Sequence, residues 1–141
     1  MKTLLVFSVL ISFAVMACSQ KPSANKAKED AAVAAAESWL KLVDAGQFDQ
    51  SWDDAATVFR TAVTKPDWAR MLQGVRTPLG KLISRSLKSS HYTTSVPGAP
   101  DGEYVVIRFE TSFENKKEAV ETVTPSLDKG GMWRVSGYFI K

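Results

Sequence analysis

The spacing of apolar residues changes near the middle of the chain, from a helical period to a strict alternation. In the first half, apolar residues recur at intervals of three and four, which is typical of amphipathic helices. This spacing predicts a helix over Ala27–Ala45, a second from Asp49 or Ser51 to Phe59, and a third from a cap at Thr64 to Thr77-Pro78.

Residues that favour helix ends stand at the predicted boundaries. Asn25 is a candidate cap for the first helix, and Gly46 is suited to end it in the left-handed conformation. Ser51 and Asp54 have the spacing of a capping box. In the third helix, the Thr64 cap is followed by Pro66 and Asp67 in the first turn, and Gly80 marks the following turn.

In the second half of the chain the pattern predicts four strands joined by short loops. They are Leu82–Val96, Glu103–Glu114, Ala119–Leu127 and Met132–Ile140, with turns at Pro97–Gly102, Asn115–Lys117 and Asp128–Gly131. Alternation places Val105, Ile107, Phe109 and Phe113 on one face, and Trp133, Val135 and Phe139 on another single face. Pro125 lies late in the third strand, which indicates an edge strand or a bulge.

Short connections between consecutive strands imply an antiparallel meander, and an apolar sheet face must be covered. The sequence therefore predicts an α+β fold in which three N-terminal helices pack on a curved four-stranded antiparallel sheet. This order of elements resembles the cone-shaped fold of nuclear transport factor 2 and ketosteroid isomerase, for which cystatin-like is the broader name.

The N-terminal segment has the layout of a bacterial secretory signal. Lys2 precedes an apolar run, Leu4–Val15, that is too short to span a membrane. Val15-Met16-Ala17-Cys18 resembles a lipobox, although an ordinary signal peptidase would accept the same small residues. The chain has a single cysteine, which could form no disulfide within the chain, and lipidation at the cleavage point would consume that thiol. We therefore expect cleavage after residue 17 and a lipid on Cys18.

The expected organisation is a signal peptide over residues 1–17, a flexible tether over 18–26 and one domain over 27–141. The tether is polar and includes Pro22. By resemblance to lipoproteins of two-membrane bacteria, Ser19 favours the outer membrane, with the domain facing the periplasm. The membrane is thus the first expected partner, through the lipid anchor.

Charge gives no indication of a nucleic-acid partner. The 141 residues include 18 basic and 15 acidic side chains, which are interspersed without a basic run or an arginine stripe.

Several segments of the predicted domain resemble one family of uncharacterised bacterial envelope proteins, the domain of unknown function 4019. The matching segments are Trp39-Leu40, Asp44–Gly46, Ser51-Trp52, Trp68, Arg76–Gly80 with Arg85, Pro97–Tyr104, Thr111–Lys116, Glu121–Pro125 and Trp133–Tyr138. The resemblance implies no activity, substrate or catalytic residue, because the family has none established.

Known catalytic and metal-binding patterns are absent from the sequence. His91 is the single histidine and is expected at the surface, and no nucleophile elbow or phosphate loop is present. Asp44, Asp49, Asp53 and Asp54 do not have the spacing of a calcium loop and are expected to be helix caps and solvated surface. We predict no catalytic residue, no metal and no cofactor.

Four residues remain as a speculative pocket: Trp52, Arg76, Arg85 and Glu121. The four tryptophans are expected in the seam between helices and sheet, the alternative being an aromatic-lined pocket. Arg85 alternates in register with Ile83 and Leu87, and Glu121 with Ala119 and Val123, so both charges would face the helices. They would form a structural ion pair, or turn outwards at a bulge, or make the polar floor of a pocket.

These observations favour a non-catalytic binding or assembly-support domain, with an unknown protein or an apolar ligand as partner. The alternative is a small-molecule enzyme of the isomerase type with Glu121 as base, which requires that Glu121 face an open cavity. A structural homodimer formed through the sheet is a third possibility.

Overall fold

The computed structural model describes residues 23–141, and these form one layer of helices on one antiparallel sheet. The helices are α1 (Ala24–Asp44), α2 (Phe48–Asp53), α3 (Thr57–Ala62) and α4 (Lys65–Leu79). The strands are β1 (Leu82–Thr93), β2 (Tyr104–Phe113), β3 (Lys116–Leu127) and β4 (Trp133–Ile140). The strand order β1-β2-β3-β4 confirms the predicted meander and the α+β class. The predicted signal peptide and Cys18 lie outside the described residues.

The first helix, α1, is the element on which the sheet packs. Its buried stripe contacts all four strands and consists of Ala32, Ala36, Trp39, Leu40 and Val43. The cap is Ser23, whose side chain accepts a hydrogen bond from the Lys26 N–H at 3.2 Å, so the predicted Asn25 cap is wrong. Three residues assigned to the tether therefore belong to the helix. Gly46 ends the turn with a φ of 74°, as expected.

The predicted second helix is two short helices, α2 and α3, because the chain makes a tertiary contact between them. Ala56 is extended and its N–H donates to the carbonyl oxygen of Val135 in β4 at 2.8 Å. The carboxylate of Asp128 accepts hydrogen bonds from both the N–H and the hydroxyl of Thr57, at 2.9 and 3.0 Å. These hydrogen bonds end the first short helix and hold the start of α3 against the sheet. The Ser51–Asp54 capping box is wrong, since Ser51 lies fully buried inside α2.

The fourth helix begins as predicted, with the Thr64 side chain accepting from the Asp67 N–H. It continues one residue past the predicted Thr77-Pro78 end, because Pro78 lies in its last turn, and it stops at Gly80, where φ is 75°. The hairpin between β2 and β3 turns at Glu114-Asn115, so β3 starts three residues before the prediction. β1 ends at Thr93 and not at Val96.

The core lies between α1 and one face of the sheet, and it includes the predicted face of β2. Val105, Ile107, Phe109 and Phe113 are each no more than 1% exposed. Trp39 and Trp68 are buried with ring centroids 6.1 Å apart, which confirms the seam for these two tryptophans. Trp52 and Trp133 are half-buried at the margin of the same core.

The structure corrects three predictions about the strands. The pairing of β3 with β4 shifts between Thr124 and Pro125, which confirms a bulge at Pro125, although β3 is an interior strand and not an edge. Since the bulge adds a residue to β4, Val135 and Phe139 point to opposite faces, and Phe139 is 51% exposed. In β1, Ile83 and Leu87 are exposed at the sheet edge instead of buried beside Arg85.

Candidate functional site

A cluster of six polar side chains is enclosed between the helix layer and the sheet. It takes one residue from α1, one from α4 and one from each strand. We call it the polar cluster: Asp44, Arg76, Arg85, Thr111, Glu121 and Tyr138.

Arg85 is the centre of this cluster. Its Nη1 and Nη2 donate to the two carboxylate oxygens of Asp44 at 2.7 and 3.0 Å, and its Nε donates to Oε1 of Glu121 at 2.7 Å. The fork geometry of the guanidinium allows it to bind two carboxylates at once. All three nitrogens of Arg85 are therefore engaged within the protein.

Glu121 has no contact with solvent, and both of its oxygens accept hydrogen bonds. Oε1 accepts from the Thr111 hydroxyl at 2.7 Å as well as from Arg85, and Oε2 accepts from the Tyr138 hydroxyl. A buried carboxylate is tolerated when its charge is paired and its lone pairs are occupied. Those conditions are met at Glu121.

Arg76 joins the cluster from the last turn of α4, where a cation also suits the helix dipole. Its Nη2 donates to Oδ1 of Asp44 at 2.8 Å, and its guanidinium lies 4.9 Å from the centroid of the Phe113 ring. Nε and Nη1 of Arg76 are buried without a hydrogen-bond partner within residues 23–141. Asp44 is consequently held by two arginines.

The surroundings of the cluster shift three pKa values. Burial alone would raise the pKa of Asp44, but hydrogen bonds from Arg85 and Arg76 outweigh it and the pKa falls below its usual value. Burial likewise opposes the charge of Arg85, while hydrogen bonds from Asp44 and Glu121 raise its pKa. Burial, the Glu121 charge and the hydrogen bond to Glu121 all raise the pKa of Tyr138. The ionised forms of Asp44 and Arg85 and the neutral form of Tyr138 are thus favoured.

This arrangement leaves no open side for acid–base chemistry at Glu121. Arg85 closes over the carboxylate, and Thr111 and Tyr138 occupy its remaining acceptor positions. A general base must reach the proton that it abstracts. The condition set for the isomerase-type alternative, a Glu121 facing a cavity, is not met.

The fourth residue of the predicted pocket, Trp52, lies elsewhere. Its indole N–H donates to the carbonyl oxygen of Val63 at 2.7 Å, and the cationic groups of Lys65 and Arg60 lie 5.2 and 5.9 Å from its ring centroid. Trp52 therefore joins α2 to α3 and to the start of α4. The structure brings Arg76, Arg85 and Glu121 together and does not bring Trp52 to them.

Sequence reasoning missed three members of the cluster: Asp44, Thr111 and Tyr138. Asp44 is not the solvated surface residue that we expected. A signal for it existed, since a carboxylate in the last turn of a helix opposes the helix dipole and needs a reason to be there. Tyr138 gave no such signal, because the bulge in β4 decides which face it occupies.

Apolar surface is exposed next to the cluster, and Tyr138 belongs to both. A groove of about 220 Å³ lies between α4 and the end of β4, lined by Trp68, Met71, Leu72, Val75, Tyr138, Phe139 and Ile140. We call it the α4–β4 groove. Met71, Val75 and Phe139 are 57%, 47% and 51% exposed. Apolar residues grouped in this way on a small domain are typical of a binding surface.

A wider trough of about 630 Å³ crosses the outer face of the sheet, between the loop after β1 and α3. Its lining includes Val96, Pro97 and Phe59. Within residues 23–141, no helix is both long and apolar enough to cross a membrane. The same part of the chain holds no group of three or more acidic, histidine or cysteine side chains placed to bind a metal ion.

Comparison with protein-family models gives one match, over residues 35–138, to a family described as protein of unknown function (DUF4019). The chain belongs to the DUF4019 family. The matched region contains the whole polar cluster and all of the α4–β4 groove except Phe139 and Ile140, and it starts within α1. Comparison with curated proteins finds no match. Membership of DUF4019 therefore confirms the resemblance seen in the sequence and assigns no activity.

Proposed function

We propose that this DUF4019 protein is an envelope lipoprotein whose domain binds a partner or supports an assembly without catalysing a reaction. The observation that carries the non-catalytic part is the closed polar cluster. The side chains that could have served as acid, base or anion receptor are Glu121, Arg85 and Arg76, and each makes at least one ion pair inside the protein.

The α4–β4 groove supports the binding part of the proposal. It is lined by apolar side chains, and methionine surfaces adapt readily to different partners. An unknown protein or an apolar ligand is the occupant that this lining suits. The helices-then-meander order also supports a cystatin-like cone as the fold type, a fold that serves binding modules and enzymes alike.

The start of α1 supports a position close to the membrane. Ser23 already caps the helix, so only residues 19–22 separate Cys18 from the domain. The five Cα-to-Cα steps from Cys18 to Ser23 can span at most about 17 Å. The loop between β1 and β2 lies at the same end of the domain, since Lys28 forms an ion pair with Glu103 and the Tyr92 N–H donates to Glu29 at 2.9 Å. With a lipid on Cys18, this end would face the bilayer of the outer membrane, on the periplasmic side.

The test is the intact mass of the protein extracted from bacterial membranes with detergent, beside a Cys18→Ser variant. The proposal predicts a chain that begins at residue 18 and carries acyl chains. In the variant these chains should be absent and the protein should leave the membrane fraction. A wild-type chain of unmodified mass would contradict the anchor.

A further inference from the structure

The backbone of β4 has hydrogen-bonding groups that face away from the sheet. Lys141 and Val120 exchange both of their backbone hydrogen bonds, each at 3.0 Å. In an antiparallel strand, the backbone N–H and C=O groups of successive residues point alternately toward and away from the neighbouring strand. Because those of Lys141 point toward β3, those of Ile140, and of Tyr138 two residues before it, point away from β3. No hydrogen bond to these groups is formed within residues 23–141. The end of β4 is therefore a free strand edge.

This free edge has a defined beginning. The outward carbonyl of Val135 is occupied by the Ala56 N–H, and the bulge follows immediately. An added strand could pair only beyond that point, around Tyr138–Ile140. This restriction fixes where a partner strand would lie.

The opposite edge, β1, carries devices that prevent strand addition along its length, whereas in β4 the bulge lies before the free segment. β1 has two irregularities, between Leu82 and Ser84 and between Leu87 and Ser89, and it presents Lys88 to solvent. Bulges and lysines are the common means of blocking an edge. Residues 136–140 contain no charged side chain. Between its bulge and Lys141, the end of β4 is therefore less protected against strand addition than β1 is.

A second copy of the same segment fits this edge. Pairing Tyr138 with Ile140 of the second copy uses the outward groups of both, and it places the two-fold axis at Phe139. The two exposed Phe139 rings would then be neighbours in a non-hydrogen-bonded pair. The charged residue beside this edge is Lys141, whose Nζ lies 5.8 Å from the centroid of the Phe139 ring. In this register it falls opposite Gly137 of the second copy, so no two like charges stand directly opposite each other.

We propose that two copies of this chain associate by antiparallel pairing of their β4 strands about Phe139, forming one continuous eight-stranded sheet. The pairing names a partner for the assembly-support part of the proposed function. It does not depend on the lipid anchor.

A cysteine at the two-fold axis tests the pairing. Phe139→Cys is introduced into the full chain, cells or membranes are treated with a mild oxidant, and the protein is run on a non-reducing gel. Residues in a non-hydrogen-bonded pair have Cα atoms about 4.5 Å apart, which suits a disulfide. The proposal predicts a covalent dimer of doubled mass. The matched control is Ile83→Cys, equally exposed on the blocked edge, which should stay monomeric.

The unaltered chain distinguishes failure of this inference from failure of the anchor. It should not crosslink, since a lipidated Cys18 has no thiol. Dimers of the unaltered chain would show a free Cys18 and contradict the anchor alone. The variant is then repeated on a Cys18→Ser background to test the edge by itself.

Sedimentation of the detergent-extracted protein gives an independent measurement. The native chain should sediment as a dimer, Phe139→Lys as a monomer because like charges would face each other across the axis, and Ile83→Lys as a dimer. A monomeric native chain, or a Phe139→Cys crosslink to a different protein, would overturn the proposal.

Discussion

Replacing Arg85 removes the guanidinium that joins Asp44 of α1 to Glu121 of β3. Replacing it with methionine removes the bonds of 2.7 and 3.0 Å to Asp44 and of 2.7 Å to Glu121. Glu121 would remain fully buried without its ion-pair partner. Breaking a buried ion pair in this way costs about 3–5 kcal/mol of the free energy of unfolding. That is a large fraction of the stability of a small domain.

The assay is urea unfolding followed by the fluorescence of the buried tryptophans Trp39 and Trp68. The matched control is Lys88→Met on the same strand, which breaks an exposed ion pair with Glu110 at 2.8 Å. Exposed pairs contribute about 0.2–1 kcal/mol. A second variant, Glu121→Gln, removes the charge but keeps an oxygen that accepts hydrogen bonds.

Combining Arg85→Met with Glu121→Gln should restore about 2–3 kcal/mol relative to Arg85→Met alone, because the uncompensated charge is gone. Two results would refute the reasoning. One is an Arg85→Met cost no larger than that of Lys88→Met. The other is a double variant no more stable than Arg85→Met.

Three further predictions use the same unfolding measurement. Ser51→Ala should lower the free energy of unfolding by about 1–3 kcal/mol, because the Ser51 hydroxyl accepts a hydrogen bond from the buried Trp68 indole N–H at 2.9 Å. A smaller loss would mean that this hydrogen bond is dispensable. Gly46→Ala should lower the free energy of unfolding by about 1–2 kcal/mol because of the positive φ at Gly46. Gly80→Ala should lower it by more, since a Cβ there would lie 3.0 Å from a neighbouring side chain, whereas a Cβ at Gly46 would meet open space. Equal losses for the two variants would contradict the packing argument. The stability that Asp44 contributes through its lowered pKa is complete above its unfolded pKa of about 3.9, and it is lost as the pH falls through the folded pKa. The difference in free energy of unfolding between the native chain and Asp44→Asn should therefore shrink in acid. A difference independent of pH would show that Asp44 is not held as a carboxylate.

The sequence predicted those parts of the fold that depend on local periodicity. The α1 stripe and the inward face of β2 were correct, because Ala32–Val43 and Val105–Phe113 follow helix and strand periods without interruption. The split between α2 and α3 could not be predicted in this way. It depends on the bond from Ala56 to Val135, residues far apart in the chain. Tertiary contacts of this kind override local preference.

Local periodicity also predicted only part of the polar cluster. The period of two around Ala119 and Val123 correctly placed Glu121 on the inward face. Arg85 also points inward, although Ile83 and Leu87, whose alternation predicted this, are exposed. Their common partner Asp44 comes from a helix, so no strand pattern could connect it to them. Tyr138 reaches Glu121 only because one extra residue in β4 reverses the alternation.

The central claim is that Arg85 is fastened inside the protein and is not a receptor for a ligand. Its side-chain Nε–H resonance in a ¹⁵N NMR spectrum, assigned with an Arg85→Lys variant, tests this most directly. If Arg85 is held by Asp44 and Glu121, this signal exchanges slowly with water at mildly alkaline pH and does not move when acetate or phosphate is added. A signal lost to rapid exchange, or one that shifts with added anion, would show that Arg85 lies in an open site.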